Sequence, residues 1–331
     1  MTNSSSNRRS GEFEIIAKYF APLAADSVAA RGLTDDAAFV VVGNDSELVA
    51  TVDALTEGVH FLRDDPPEMI GAKALRVNLS DLAAKGARPA GYLLALCLPD
   101  WVGDQWIAQF AAGLARDQSR FSVMLIGGDT TSTPGPLTIS ITALGRVPRG
   151  QAVHRSGAKP GHLVFVSGTI GDAGAGLALL KQGGRTEQGD EAALIARYRL
   201  PEPRLSVGER LIGVASAALD VSDGLIADLN HIAQVSGVRI AIDAPRVPLS
   251  PALVRLYGDD IAARSAAVIA GDDYEIAFTA PLNLRDSLRE IAAQTGVPVT
   301  EIGHVESGSG TVLLDGDGHQ VRLRQMGYVH L

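Results

Sequence analysis

PPEMIGAKALRVNLSDLAAKGARP (residues 66–89) runs straight into AGYLLALCLP (90–99), and this junction decides the fold class. The first segment has helical apolar spacing, prolines at its entry and Gly86 near its exit, so it reads as one long helix. The second is a short bounded apolar run and reads as a strand. Upstream, GEFEIIAKYF (11–20) spaces Phe13, Ile16, Ala17 and Phe20 as a helix would. AAFVVVG (37–43) and ELVATVD (47–53) read as paired strands joined at Gly43, Asn44 and Asp45. Downstream come an amphipathic helix at 104–118 and strands in SVMLIGGD (122–129) and LTISITALGRV (137–147). This half is a mixed α/β unit.

PRGQAVHRSGAKPGH (148–162) is rich in Gly, Pro and basic residues and marks a domain boundary. The reading is a disordered tail over 1–10, an N-terminal α/β domain over 11–149 and a C-terminal α/β domain over 150–331. The second half opens with the strand LVFVSG (163–168), then the loop and helix GDAGAGLALLKQ and the helical EAALIARYRL. Helices around 205–218 and 224–236, a strand at 238–242 and a strand at AVIAG (267–271) follow. The strand YEIAFTA, a helix over 284–296 and the strands PVTEIGHV and GTVLLDG complete the chain.

A length of 331 residues suits about two domains, and 46% hydrophobic content suits packed cores. The formal net charge of −9 argues against general nucleic-acid binding. The single Cys97 forms no internal disulfide, and its setting in YLLALCLP reads as buried core in a reducing compartment. No apolar run approaches the roughly 18 residues of a membrane span. MTNSSSNRRSG lacks an apolar secretory core, so a cytoplasmic location is expected.

Aspartates recur where apolar segments end or turn: Asp35 and Asp36, Asp53, Asp129, Asp220 and Asp223, Asp272 and Asp273. Asp81 lies inside the helical NLSDLAA. Converging carboxylates repel by about 4 kcal/mol per pair at 4 Å and an effective dielectric near 20, so a gathered set calls for a cation. Hard oxygen ligands select Mg²⁺, Ca²⁺ or Mn²⁺, and Mg²⁺ usually carries substrate phosphates. The set therefore points to metal-assisted phosphate chemistry, although any one aspartate also reads as a turn or cap.

Other motifs carry two readings each. The cluster Gly168, Gly171, Gly174 and Gly176 suits a nucleotide phosphate, or a close-packed strand-to-helix turn with Asp172 as N-cap. His60 is a turn histidine or, near Asp53, a site residue. Gly128 and Asp129 lead into Thr130, Thr131, Ser132 and Thr133, which is either a polar loop or a set of phosphate donors. Arg155 is a solvated surface group or a site cation, and Tyr328 is core closure or a stacking platform.

GEFEIIAKYF, TDDAA, TVDALTEGVHF, KALRVNLSDLAAKGA, LIGGDTT, RSGAKPG, GTIGDAGAGLALL, PEPR, DVSDGLIADLNHI, AGDDYEIAFT and GYVH occur in this order along the chain. In that order the chain resembles the thiamine-monophosphate kinase family, within the superfamily of aminoimidazole ribonucleotide synthetase and selenophosphate synthetase. The resemblance implies Mg²⁺-dependent transfer of the ATP γ-phosphoryl group to thiamine monophosphate. It implies Asp36, Thr51, Asp53, Asp81, Asp129, Asp220 and Asp223 as Mg²⁺ ligands, with Asp129 and Asp223 most critical and no general base. It implies Gly128, Asp129, Arg155 and Ser222 at ATP, and His60, Asp272 and Tyr328 at the thiamine substrate. It also implies a homodimer paired through the N-terminal domain, and an active site between the two domains.

Three departures stand out. Thr34 replaces Gly in the family's G-D-D-A, Asp272 replaces Glu in G-E-D-Y-E, and the closing G-Y-D-H-F is Gly327-Tyr328-Val329-His330-Leu331. None removes an implied metal ligand. The rivals are another ATP-dependent superfamily member and a non-catalytic metal or nucleotide sensor. Selenophosphate synthetase is disfavoured because Cys97 does not sit in an N-terminal glycine-rich loop. Aminoimidazole ribonucleotide synthetase is disfavoured by DALTEGVHF and GDDYE.

Overall fold

The computed structural model describes residues 12–27, 29, 42–184 and 188–328. Asp36, Thr34, most of the expected 37–43 strand and the expected 1–10 tail lie outside the described residues. Contacts divide the chain into two units: unit 1 takes residues up to Leu82 with Arg88–Pro148, and unit 2 takes Ala83–Ala87 with Arg149 onward.

Unit 1 opens with α1 (Glu12–Ile15), which widens into a π-turn over Ile16–Phe20 rather than continuing as the expected regular helix. Its sheet holds β1 (Ser46–Thr56), β2 (Arg88–Leu98), β3 (Leu125–Ser132) and β4 (Thr138–Pro148) in the order β1-β4-β2-β3. Only β2 and β3 run parallel, because the helix α3 (Asp104–Phe121) crosses between them. The helix α2 (Pro67–Ala84) ends before the expected residue 89: Gly86 takes φ +72° and β2 starts at Arg88.

One sheet face is apolar and buried, with Leu55, Leu94, Leu96, Ile139 and Ile141, beside α2 residues Leu75, Leu79 and Leu82 and α3 residues Phe110 and Leu114. The two helices approach closely: a Cβ on Gly113 would lie 2.0 Å from the Glu68 carbonyl oxygen. Between them Arg76 grips Asp117 through two hydrogen bonds, of 2.5 and 3.0 Å, with both side chains buried. Cys97 sits on the other face and is only half-buried, so it is not the core cysteine expected. The strand alternates, and the core positions next to it are Leu96 and Leu98.

Unit 2 is a six-stranded sheet of order β10-β7-β9-β5-β8-β6. The strands are β5 (Leu163–Ser167), β6 (Ala217–Asp220), β7 (Arg239–Asp243), β8 (Ile276–Ala280), β9 (Val299–Glu306) and β10 (Gly310–Leu314). The helices are α4 (Asp172–Lys181), α5 (Gly189–Arg199), α6 (Leu205–Leu211), α7 (Leu225–Ser236), α8 (Pro251–Tyr257), α9 (Ile261–Val268) and α10 (Arg285–Thr295). Alternation along the strands divides the core in two. Val164, Val166, Leu219 and Ala277 pack with α7 and α9, while Phe165, Ala218, Ile276 and Phe278 pack with α6 and α10.

Two expectations fail here. AVIAG is not a strand: Ala267 and Val268 are the buried last turn of α9, which Asp260 caps by accepting the Ala263 N–H at 2.9 Å. A five-residue apolar run has too little length to show its period. The helix expected over 205–218 stops at Leu211, because Gly213 turns with φ +74° and Ala217 enters β6.

Candidate active site

In unit 1, β1 and α2 bring three oxygen-bearing side chains together. Thr51 and Asp53 share the inward face of β1, two residues apart, where Val52 and Ala54 point out to solvent. Both aspartates expected at strand ends, Asp53 and Asp129, in fact lie inside strands. The Thr51 hydroxyl donates to Asp81 Oδ2 at 2.5 Å. One turn earlier on α2, the buried Asn78 accepts the Asp53 backbone N–H at 3.0 Å and anchors its own amide on the Ala74 carbonyl. The NLSD motif thus has two tasks: Asn78 fastens helix to strand, and Asp81 reaches the same strand with its carboxylate. Asn78 carried no signal as a single residue; its place three before Asp81 on a helix puts both on one face.

His60 stands in the turn after β1, where its Nδ1 accepts the Thr56 N–H at 3.0 Å. That bond fixes the neutral tautomer with the proton on Nε2. Its carbonyl accepts from the buried Lys73 ammonium at 3.0 Å. The turn role is therefore real.

Asp129 is elsewhere. Register carries Asp53 across Ile141 and Leu94 to Gly128, from one sheet edge to the other, about 14 Å along the sheet at 4.8 Å per strand. Asp129 itself pairs through Ala95 and Ser140 to Ala54, so it shares the face opposite Asp53 and is exposed. Within one chain, unit 1 joins Thr51 to Asp81 with Asp53 on the same strand face, and leaves Asp129 on the opposite face. Gly128 has a packing reason to be glycine, since a Cβ there would lie 1.9 Å from the Leu94 carbonyl oxygen.

In unit 2, the loop after β6 gathers a second group. Asp220 ends β6 and is buried, and Ser222 and Asp223 follow in the turn. Gly224 is the N-cap of α7 and no side chain caps it; Asp228, inside the helix, reaches back so that its Oδ2 accepts the N–H groups of Ser222, Asp223 and Gly224 at 3.0 to 3.1 Å. Burial first, then the Asp223 charge, push the Asp228 carboxyl up to about 7, against those three donors.

Two distant segments dock on this turn. The Asp272 N–H bonds the Ser222 carbonyl and the Tyr274 N–H bonds the Val221 carbonyl, both at 2.8 Å. The Tyr328 N–H bonds the Asp223 carbonyl at 2.8 Å, and Gly327 permits that approach, since a Cβ would lie 2.6 Å from the same oxygen. Tyr328 is half exposed, so it is not core closure. The structure thus brings Ser222, Asp223, Asp272 and Tyr328 together, and Arg155 is exposed.

The glycine cluster holds no space for a phosphate. Asp273, which is buried, already occupies the start of α4: its Oδ2 accepts the Gly171 N–H at 2.7 Å and its Oδ1 the Ala173 N–H at 3.3 Å. Burial holds its carboxyl well above the usual range, partly offset by these N–H bonds and the Arg197 charge. Gly168, at φ +57°, makes room for Glu275, whose Oε1 would lie 2.1 Å from a Cβ there. The N-cap is Gly171 rather than Asp172, which lies inside α4 and accepts the Thr169 and Ser250 hydroxyls at 2.6 Å each.

The fully buried Glu275 accepts the Ser167 hydroxyl at 2.6 Å, Arg197 at 2.8 Å, and Arg204 through two bonds. These four acids (Asp172, Asp228, Asp273, Glu275) are structural. Among the described residues the one grouping of three metal-type donors within 4.8 Å of one another is Asp315, Asp317 and His319, in the turn after β10. No described helix is long and apolar enough to cross a membrane.

The family model for the AIR synthase related protein N-terminal domain matches residues 34–147, and that for the C-terminal domain matches 159–315. The thiamine-monophosphate kinase of Caulobacter vibrioides is 42% identical over 322 residues, covering 96% of this chain and 90% of that protein. The crystal structure of thiamine-monophosphate kinase from Stenotrophomonas maltophilia superposes with a TM-score of 0.84 at 42% identity, over 93% of this chain and 97% of that one. AaThiL complexed with AMPPCP and TMP superposes with a TM-score of 0.77 at 36% identity, over 88% and 89%. Sheet topology, motif order and these likenesses agree, and the chain belongs to the thiamine-monophosphate kinase family of AIR synthase related proteins.

Proposed function

We propose that this chain phosphorylates thiamine monophosphate to thiamine diphosphate, the last step of making that cofactor, with ATP as donor, Mg²⁺ as its metal, and the cytoplasm as its place of work. One observation carries the metal assignment: Thr51 is hydrogen-bonded to Asp81, and Asp53 lies two residues along the same face of β1. Oxygen donors of this kind fit Mg²⁺, which takes carboxylates and substrate phosphates. Asp36, Asp129, Asp220 and Asp223 are proposed as further ligands on the resemblance. Bound metal supplies charge neutralisation for the transferring phosphoryl group.

The acceptor is a phosphate monoester with a second pKa near 6, so its oxygen is an anion at pH 7 and needs no general base. The chain's residues then have positioning to do. Gly128, Arg155 and Ser222 are assigned to ATP. His60, Asp272 and Tyr328 are assigned to the thiamine end, whose cationic ring suits a carboxylate and an aromatic face. The turn tying Asp272 and Tyr328 to Ser222 and Asp223 supports that assignment. A homodimer is part of the proposal, supported by the apolar side chains Leu48 and Val52 exposed on β1.

A coupled ADP-release assay tests the reaction. ADP formation requiring both thiamine monophosphate and Mg²⁺ is expected. Folded protein that releases none under these conditions rejects the kinase reading.

A further inference from the structure

Residues 271–275 alternate between two surroundings. Asp273 and Glu275 point inward, to the α4 N-terminus and to Arg197, Arg204 and Ser167. Asp272 and Tyr274 lie on the other side, where the Tyr274 hydroxyl donates to Asp272 Oδ1 at 3.3 Å. Both of these take left-handed backbone, φ +71° and +52°, the only such described non-glycine residues besides Ser122. That conformation is unfavourable for L-residues, and for an aromatic residue especially, so something must hold it. Local sequence accounts for only half of it: aspartate tolerates this backbone, tyrosine does not.

Backbone bonds tie the Asp272 and Tyr274 N–H groups to the Ser222 and Val221 carbonyls, and one side chain grips the inward residues of the same segment at several points. Arg197 of α5 donates from Nη2 to the Asp273 carbonyl at 3.4 Å and to Glu275 Oε1 at 2.8 Å. Its Nε lies 3.9 Å from Asp172 Oδ2, the α4 acid beside the Asp273 anchor. Arg204 grips Glu275 from a second direction. We propose that Arg197 is a positioning residue for the thiamine end of the reaction: its fork fixes the Asp273–Glu275 rail, and the rail holds Asp272 in the left-handed turn that faces Ser222 and Tyr274. This rests on the assignment of Asp272 to the thiamine substrate. Nη2 serves Asp273 and Glu275 while Nε faces Asp172, a spread of nitrogens that lysine, with the same charge on one atom, does not offer.

The test is a double-mutant cycle on KM for thiamine monophosphate, joined to amide hydrogen exchange. Asp272→Asn and Arg197→Lys each raise that KM by roughly tenfold or more, with KM for ATP within about twofold. The double variant is no worse than the poorer single variant, because Arg197 acts through Asp272. Arg197→Lys also speeds exchange of the Asp272 and Tyr274 amides by roughly tenfold, while the amides of α7 are unaffected. Additive losses, equal losses for both substrates, or unchanged exchange at 272 and 274 overturn the proposal. Arg204→Lys is the control: it removes the second grip on Glu275 and lowers melting temperature, but Arg197 still fixes the rail, so the selective rise in KM is absent. If wild-type protein turns over no thiamine monophosphate, the kinase reading falls on that result and the substrate role of Arg197 falls with it. The exchange measurement then still decides whether Arg197 holds the turn.

Discussion

The carboxylates of the β1–α2 corner and those of the 271–275 segment have the same chemistry and opposite surroundings. Asp81 accepts one hydroxyl, from Thr51, and stands half-buried. Glu275 is wholly buried and accepts from two guanidinium groups and a hydroxyl. Asp273 is equally buried and closes the start of a helix. A buried acid whose lone pairs are filled by protein donors is committed to the fold. A half-exposed acid that accepts one hydroxyl, facing a strand that carries a second acid, keeps capacity for something the protein does not supply. Acidic sequence motifs do not separate the two cases; the count of internal donors does.

Substitutions on each side should therefore fail differently. The largest effect expected on turnover is Asp81→Asn, lowering kcat by about 100- to 1,000-fold while thermal unfolding stays near wild type. Steady-state kinetics beside calorimetry checks this, and a melting temperature that collapses with activity would erase the contrast. Glu275→Ala should do the reverse. Leaving Arg197 and Arg204 without their shared partner costs about 3–5 kcal/mol of stability, read by urea unfolding.

Gly113→Ala belongs with the structural group. Its methyl would meet the Glu68 carbonyl oxygen, so α2 and α3 must separate at a cost of about 1–3 kcal/mol, with kcat little changed.

The smallest effect is on pH dependence. Asp228 carries a folded-state pKa of about 7 against roughly 3.9 unfolded. The native state binds the extra proton between those values, so stability falls as pH rises through that window. The burial penalty is absent below about pH 4 and complete above about pH 7. In metal-free protein, Asp228→Asn should flatten the decline of melting temperature between about pH 5 and 8. An unchanged slope would mean that the three N–H donors keep Asp228 ionised throughout.

Periodicity made most of the fold legible. The α2–β2 junction, the amphipathic α3 and the strands of both sheets except β6 follow from apolar spacing and glycine punctuation. It failed where segments were short: AVIAG had too few residues to distinguish the last turn of α9 from a strand, and Gly213 stopped α6 early. The site was half legible. TVD and NLSD showed Asp53 and Asp81 as members of the aspartate set, Thr51 entered only through the family resemblance, and the Thr51–Asp81 bond became visible only in the fold. Sequence alone did not reveal that Asp129 lies at the opposite sheet edge, since strand order is a long-range property. Nor did it reveal that Asp273 fills the helix start offered by the glycine cluster. A glycine that makes room for a phosphate and one that makes room for Glu275 look the same in one dimension.

The central claim is that the Thr51–Asp53–Asp81 corner takes a divalent cation. Mn²⁺ titration followed by electron paramagnetic resonance, with ATP present, compares wild-type protein with Asp53→Asn/Asp81→Asn. The account predicts that the double variant, still folded, loses at least one bound ion. Equal stoichiometry and affinity in the two proteins would contradict it.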